Sequence, residues 1–297
     1  MKDSYPQKSL TRFCRLLGIT RQAYYKNSWQ QQATTIEEEL VIKEVKRIRQ
    51  HHRAMGGRKL YELLQPFLLE HQIKMGRDAL FDVLAAHGLL VRKKRRRIYT
   101  THSHHWLRKW SNLIKDVVPT APNQLYVSDI TYWKIQSDYV YLSLITDAYS
   151  HKIVGYHVAP TLATMETVSA LQMALQQLGA AASHLIHHSD RGVQYCSEQY
   201  VHLLIAHQIK ISMTESSEPT DNAIAERVNG ILKQEYLEHY EVKNIEEARE
   251  LLTTVIRLYN EERPHLSIGM QTPDIVHQYN IKTENLWKKK SLNAVSL

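Results

Sequence analysis

The sequence has little of what stabilises secreted or membrane-spanning proteins. Only two of its 297 residues are cysteine, Cys14 and Cys196, and they lie far apart in the chain, which argues against a disulfide framework or a cysteine zinc site. No apolar stretch approaches the roughly 18 residues that span a bilayer. The first residues, MKDSYPQKSLTRF, lack the apolar core of a signal peptide. These absences predict a soluble protein of the reducing cytoplasm with no membrane contact.

Charge is unevenly distributed along the chain. Residues 1–115 contain 24 lysines and arginines against 9 acidic residues, a net charge of +15, whereas the remainder has a net charge of −7. Basic charge concentrated in one part of a chain is typical of proteins that bind an anionic polymer. A solvated basic surface is the alternative, but the concentration of the excess favours nucleic acid as the partner.

The first 35 residues predict a helix-turn-helix module. The segment SLTRFCRLLGITRQAYYKNSW shows helical spacing of apolar residues on both sides of Gly18, and Thr20 is a suitable N-cap for the second short helix. Helical pairs of this kind are common in DNA-binding proteins but also occur in proteins that do not touch DNA. We expect Arg21, at the start of the second helix, to contact DNA.

Residues 36–91 predict a second small helical DNA-binding module. A charged amphipathic helix is expected over residues 36–51, followed by two helices that separate near Lys74–Gly76. The apolar side of the helix expected over residues 36–51 comprises Ile36, Leu40, Val41, Val45 and Ile48.

A basic linker is predicted over residues 92–120. It opens with six consecutive cations, which repel one another and are therefore expected to be exposed. We expect them to follow a phosphate backbone, with a merely solvated charge run as the alternative. These cations are Arg92, Lys93, Lys94, Arg95, Arg96 and Arg97.

The apolar pattern changes from helical to strand-like at Leu125. The runs LYVSDITYWKI, DYVYLSLITDAYS and KIVGYHVAP predict three antiparallel strands joined by short turns. A helix, the strand SHLIHHSD, a helix, the strand IKISMT and closing helices follow. This element order is that of a ribonuclease H-like α/β fold, a mixed five-stranded sheet flanked by helices. We assign it to residues 121–280, with a C-terminal tail at 281–297.

Two aspartates on the predicted sheet are candidate metal ligands. Asp129 stands in the middle of an apolar, β-branched strand, where an unpaired carboxylate is costly to bury. A metal ion or an arginine would compensate it, and a solvent-facing edge is the alternative. Asp190 ends the strand SHLIHHSD. In the predicted fold these two strands lie side by side, so both carboxylates reach the same end of the sheet.

A third carboxylate is predicted to lie on the helix TDNAIAERVNGILKQEYL. Glu226, Asn229 and Lys233 fall along one stripe of it, away from its apolar side. A polar helix face explains this stripe when it is considered alone. Together with Asp129 and Asp190, however, Glu226 completes a set that can hold two divalent ions roughly 3.5–4 Å apart and activate water or a 3′-OH against a phosphodiester. Oxygen ligands select Mg²⁺ or Mn²⁺ over zinc.

The motifs around these carboxylates resemble those of one family. They are VSDITYW, HSDRGVQY and DNAIAERVNGILKQEYL, with 35 residues between Asp190 and Glu226, and the later segment YNEERPHLSIGMQTP. The chain resembles OrfB-type transposases of the insertion-sequence-three family, members of the DDE transposase and retroviral integrase superfamily. The resemblance covers nearly the whole chain, because CRLLGITRQAYY and GGRKLYELL are also similar to segments of that family.

This resemblance implies a DNA transposase that recognises insertion-sequence ends and cuts and joins DNA strands. It implies that Asp129, Asp190 and Glu226 are the catalytic triad and that Lys233, seven residues after Glu226, contacts the end of the element. From its place on the same helix stripe we also expect Asn229 to contact DNA. The cofactor expected for the three carboxylates is two Mg²⁺ ions, for which Mn²⁺ can substitute. The implied partners are terminal inverted repeats, target DNA and further copies of the chain bound to the same DNA. The implied location is the bacterial cytoplasm, in association with the nucleoid.

Three points stay open at this stage. The chain has no sustained heptad run, whereas many relatives are fused to an upstream frame that supplies a leucine zipper, which leaves open an upstream-frame OrfA partner or fusion. A catalytically inactive DNA-binding regulator and a metal-dependent nuclease on the same fold are alternative functions. His188 and Ser189 either support the site or only end the strand, and Arg191 either meets phosphate or pairs with Glu198.

Overall fold

The computed structural model describes residues 9–91, 106–115, 117–136, 138–178, 184–215 and 222–283. The predicted cationic run at 92–97 and most of the predicted tail therefore lie outside the described residues. Within these ranges, none of the helices combines the length and the apolarity that a membrane span requires.

Among the described residues, four helices precede the sheet: α1 (Leu10–Leu16), α2 (Arg21–His51), α3 (Gly57–Glu70) and α4 (Arg77–Ala86). Thr20 caps α2, its hydroxyl accepting a hydrogen bond from the backbone N–H of Ala23 at 3.0 Å. The prediction of a short second helix and a separate helix at 36–51 is wrong, because α2 is continuous across both. No glycine or proline interrupts this stretch, so nothing in it ends a helix.

The helical region has a small apolar core of its own between α2, α3 and α4. Val41, Val45 and Ile48 on α2 are buried against leucines of the two following helices, such as Leu60 and Leu64. The buried stripe of α2 is narrower than predicted, since Ile36 and Leu40 are 60% and 38% exposed.

The sheet has five strands in the order β3-β2-β1-β4-β5. β1 (Leu125–Ile135), β2 (Asp138–Asp147) and β3 (Ile153–Ala159) form the predicted antiparallel meander. β4 (Ile186–Ser189) and β5 (Lys210–Met213) add to it in parallel, with β4 beside β1. The predicted neighbourhood of the first and fourth strands is confirmed.

Helices cover both faces of the sheet. They are α5 (Thr164–Leu178), α6 (Val193–Cys196), α7 (Glu198–Ala206), α8 (Ala223–Ile231), α9 (Ile245–Arg257) and α10 (Pro273–Tyr279). One core packs α8 and α9 against Trp133 and Leu142, and the other packs α5 and α7 against Val154. At Gly155 a Cβ atom would clash with the Ala170 carbonyl of α5, so glycine is what lets that helix approach β3. The ribonuclease H-like fold is confirmed.

Two helices near the C-terminus are less regular than predicted. α8 begins at Ala223 and ends at Ile231, and the chain continues as a π-helical turn, Leu232–Tyr236. α9 likewise passes into a π-helical turn, Leu258–Glu262. π-helical turns are rare and occur often at functional sites.

Candidate active site

Asp129 lies on the central strand, just beyond the point where its parallel neighbour ends. The last β1–β4 pair joins Val127 to His188, whereas on the other side Asp129 itself pairs with Leu144 of β2. Its carboxylate accepts hydrogen bonds from the backbone N–H of Ile130 at 3.0 Å and from Nδ2 of Asn229 at 2.6 Å. β1 and α8 therefore orient this carboxylate together.

Asp190 follows the last residue of β4, at the same end of the sheet. Its Oδ1 accepts a hydrogen bond from the backbone N–H of Gly192 at 2.9 Å. A Cβ at Gly192 would lie 3.0 Å from that oxygen, so the small residue allows the turn to close on the carboxylate. Sequence reasoning did not assign this role to Gly192, although the glycine stands in the quoted motif HSDRGVQY.

Glu226 lies in the first turn of α8 and is exposed. Asn222 precedes this helix and donates from Nδ2 to the backbone carbonyl of Ser128 at 2.9 Å. The start of α8 is thereby tied to β1 one residue before Asp129. Sequence reasoning did not single out Asn222, whose contact depends on the tertiary fold.

The three carboxylates are close enough to influence one another. Burial and the charge of Asp190 raise the pKa of Asp129 to about 7, and the charge of Glu226 adds to the rise. The hydrogen bonds from Asn229 and Ile130 oppose it. Asp129 is therefore a carboxylate whose charge is disfavoured by its like-charged neighbours.

The donor set of this site fits a divalent cation. All three groups offer carboxylate oxygen, the ligand that Mg²⁺ and Mn²⁺ prefer, and a dication would relieve the repulsion that raises the pKa of Asp129. In the described part of the chain, no three His, Cys, Asp or Glu side chains are drawn together into a metal-holding group.

Asn229 differs from its prediction. The sequence placed it on an exposed stripe with Glu226 and Lys233 as a DNA contact, but it is only 5% exposed and holds Asp129. The reason is that α8 packs directly on β1, so the residue one turn after Glu226 faces the strand instead of solvent.

Lys233 lies beside Asp129 on the same surface. Its Nζ is 3.4 Å from Oγ1 of Thr131 and 3.9 Å from the ring centroid of Tyr132. Burial lowers the pKa of Lys233, whereas the negative charges of Glu238 and Asp129 act to raise it. This half-buried ammonium group gives the acidic site a nearby cation.

The histidines before Asp190 are buried. Nε2 of His187 lies 2.7 Å from the Ser128 hydroxyl and 2.9 Å from that of Tyr200, and burial lowers its pKa to about 3. Nδ1 of His188 lies 2.8 Å from the Ser212 hydroxyl. These contacts join β4 to its neighbours, so both histidines support the strand that directly precedes Asp190.

The remaining predicted residues are Ser189, Arg191 and Arg21. Ser189 is buried and its hydroxyl donates to the carbonyl of Asp190. Arg191 is half-buried directly after Asp190, and its charge, after that of Lys115, helps to lower the pKa of Glu215. Arg21 is exposed at the start of α2, in the helical region.

Two family models match the chain, and both are described as integrase core domain. One matches residues 119–219, which include Asp129 and Asp190, and the other matches residues 207–273, which include Glu226.

Full-length relatives extend the similarity to the helical region. A 31 kDa protein of insertion element IS600 from Shigella sonnei is 36% identical over 267 residues, which is 88% of this chain and 95% of the relative. Transposase InsF for insertion sequence IS3A from Escherichia coli strain K12 is 27% identical over 92% of this chain and 95% of its own. The HTLV-2 integrase catalytic core, solved in complex with magnesium, is 21% identical with a TM-score of 0.42, covering 53% of this chain and 97% of that chain. The chain belongs to the IS3 family of DDE transposases, which are polynucleotidyl transferases acting on DNA.

Proposed function

We propose that Asp129, Asp190 and Glu226 are the catalytic carboxylates of this transposase and that they hold two Mg²⁺ ions, for which Mn²⁺ can substitute. The observation that supports this best is the pKa of Asp129, raised by burial and by the two other carboxylates. Bound divalent ions supply an activated water or 3′-OH and stabilise the charge that develops on the phosphodiester.

The residues around the carboxylates have distinct tasks in this proposal. Asn229 orients Asp129 through its 2.6 Å hydrogen bond, and the N–H of Gly192 orients Asp190. The charge of Asp129 acts on Lys233, whose Nζ lies 3.4 Å from Oγ1 of Thr131, and we assign this lysine to the phosphate backbone of the DNA end. Arg191 is a further candidate for a phosphate contact.

The basic front of the chain supplies DNA affinity in this proposal. This part of the chain has a net charge of +15 and would bind terminal inverted repeats and target DNA mainly through their phosphates. The contacting residues include Arg21 and the cations at 92–97. We further propose a homo-oligomer assembled on DNA, an upstream-frame OrfA partner or fusion, and a nucleoid-associated place in the bacterial cytoplasm.

Magnesium binding should depend on the protonation of Asp129. Since the pKa of Asp129 in the folded protein, about 7, exceeds its ordinary value of 3.8, the metal-free protein should lose stability as pH rises between these values, by up to about 1.4 kcal/mol per unit. Metal binds the deprotonated group. We expect Mg²⁺ to raise the melting temperature more at pH 8 than at pH 6.

Two variants test the assignment by the same melting measurement. Asp129→Asn should remove the loss of stability that Asp129 causes as pH rises and should abolish the magnesium shift, whereas Asp138→Asn, at an exposed aspartate on β2, should keep both. A magnesium shift of wild-type size in Asp129→Asn would show that the ions bind elsewhere. Incubation with labelled end duplex then separates joined products, expected here, from the simple cuts of a nuclease.

Lys233→Ala should slow cleavage and joining by roughly 10-fold to 100-fold at subsaturating DNA, because a charge-assisted contact to phosphate contributes about 1.5–3 kcal/mol. The fold and the magnesium shift should be retained, and the loss should be smaller than for any of the three carboxylates. Lys233→Arg should recover part of the activity, since the charge returns with a different geometry. Joining by Lys233→Ala at the wild-type rate would place the side chain away from the reacting end.

A further inference from the structure

A short segment between α2 and α3 contacts the catalytic domain beside α8. His52 is buried, and its ring nitrogens lie 2.9 Å from the Tyr236 hydroxyl and 3.3 Å from Oε2 of Glu262. The neighbouring Arg53 donates to the backbone carbonyl of His239 at 2.8 Å. The helical region is thus joined to the π-helical turns that follow α8 and α9.

A cluster of three charged side chains lies at the centre of this junction. Glu235 accepts a bond from Nζ of Lys59 at 2.9 Å and two from Arg263, from Nε at 2.9 Å and Nη2 at 2.8 Å. The side chains of Lys59, Glu235 and Arg263 are 12%, 16% and 1% exposed. Lys59 belongs to α3 of the helical region, whereas Glu235 and Arg263 belong to the catalytic domain.

Burying charged side chains is costly, and here the cost is offset by the hydrogen bonds within the cluster. Burial and the charge of Arg263 lower the pKa of Lys59 to about 8. The pKa of Glu235, which burial alone would raise, is held at about 2 by Arg263 and Lys59. The arrangement fixes one carboxylate between two cations that come from different parts of the chain, which sets a defined geometry between them.

The cluster acts on the helix that carries the active-site residues. Glu235 stands in the π-helical turn that continues α8, two residues after Lys233 and nine after Glu226. Because this turn directly continues α8, the hydrogen bonds to Glu235 also restrain the C-terminal end of α8. Its partner Lys59 is in the first turn of α3, whose own apolar core ties it to the rest of the helical region.

We propose that Lys59, acting through Glu235, is a positioning residue that sets the helical DNA-binding region relative to α8. A DNA end held by the helical region is then presented to Glu226 and Lys233 at a fixed distance and angle. The inference rests on the proposed function, because it assumes that Glu226 acts on the DNA. It assigns Lys59 no contact with DNA or metal.

Lys59→Met is the most informative variant, because it removes the charge from the helical region while Glu235 keeps its two bonds to Arg263. Its strand transfer is measured in single turnover at saturating end DNA with Mg²⁺, and its DNA affinity by equilibrium binding. We expect the dissociation constant to stay within twofold and the saturated rate to fall at least tenfold. Lys59→Arg should restore part of the rate, and Lys210→Met, at an exposed lysine on β5, should match wild type.

A saturated rate for Lys59→Met equal to that of Lys210→Met would overturn the proposal. Weaker DNA binding by Lys59→Met with a normal saturated rate would also overturn it, because Lys59 would then be a DNA contact. If Lys59→Met loses its cooperative melting, Arg53→Ala decides, because Arg53 is exposed; it should lower the saturated rate, and a normal rate counts against the proposal. Asp190→Ala is run in parallel. If it joins DNA, the catalytic assignment fails, whereas an inactive Asp190→Ala beside a normal Lys59→Met refutes the positioning role alone.

Discussion

Asp190→Ala should abolish strand transfer while leaving DNA binding intact. Losing a carboxylate that holds catalytic metal removes several kcal/mol of transition-state stabilisation, which corresponds to a loss of roughly 1000-fold or more. DNA affinity should change by less than about twofold, because it comes mainly from the basic front of the chain. The measurement is single-turnover joining of a labelled end duplex in Mg²⁺, with affinity determined separately.

The matched control for Asp190→Ala is Glu250→Ala, which removes an exposed carboxylate on α9. It should join DNA at the wild-type rate. Undiminished joining by Asp190→Ala would refute the metal-site assignment, and a parallel loss of DNA binding would show that the aspartate supports the fold instead of the chemistry.

Asn229→Leu should shift the pH dependence of strand transfer upward. The bond from Nδ2 of Asn229 lowers the pKa of Asp129, which burial and Asp190 have raised to about 7. Without that bond the pKa rises further, so a larger fraction of the enzyme holds a protonated Asp129 at neutral pH. A further rise of one unit would lower the deprotonated fraction of Asp129 at pH 7 from about one half to about one tenth, so we expect roughly a fivefold lower rate at pH 7 and recovery at pH 8.5.

Asn229 is a favourable site for this test. Among the described residues its Oδ1 has no hydrogen-bond partner, so leucine, of similar size, removes little besides the bond to Asp129. Gln234→Ala, at an exposed neighbour, serves as the control and should keep the wild-type pH profile. A pH midpoint that does not move in Asn229→Leu would mean that the bond does not govern the charge of Asp129.

Much of the catalytic domain was predictable because its elements have strong local signals. The three antiparallel strands alternate β-branched and aromatic residues with very short turns, and the helices between the later strands show regular apolar spacing. The continuity of α2 was missed because the sequence was divided at a change of composition, although a helix needs only the absence of a stop.

The site illustrates what local sequence can and cannot decide. The argument that a carboxylate in an apolar strand needs compensation applies to Asp147 as well as to Asp129. Asp147 is fully buried, yet its Oδ1 accepts bonds from the N–H and hydroxyl of Ser150, and its Oδ2 from the N–H of Asn123. Burial would raise the pKa of Asp147, but hydrogen bonds, first from His277, hold it below its ordinary value. Only the tertiary contacts distinguish this structural aspartate from the candidate ligand.

Individual side-chain contacts between elements distant in sequence were beyond prediction. Asn229 reaches Asp129 across 100 residues of chain, and Lys59 reaches Glu235 across 176. Neither partner is suggested by helical periodicity, which correctly assigned the apolar face of α8 but treated every other residue as solvated. The π-helical turn after Ile231 was missed because LKQEY has the composition of an ordinary helix.

The π-helical turn at Leu232–Tyr236 constrains the number of residues in this stretch of the chain as well as their identity. An α-helix rotates by about 100° with each residue. Deleting the exposed Gln234 would let the turn relax to α geometry and swing Glu235 away from Lys59, whereas replacing Gln234 changes neither. Natural variants of this stretch should therefore differ by substitution at constant length, since an insertion or deletion of one residue would displace Glu235 from Lys59.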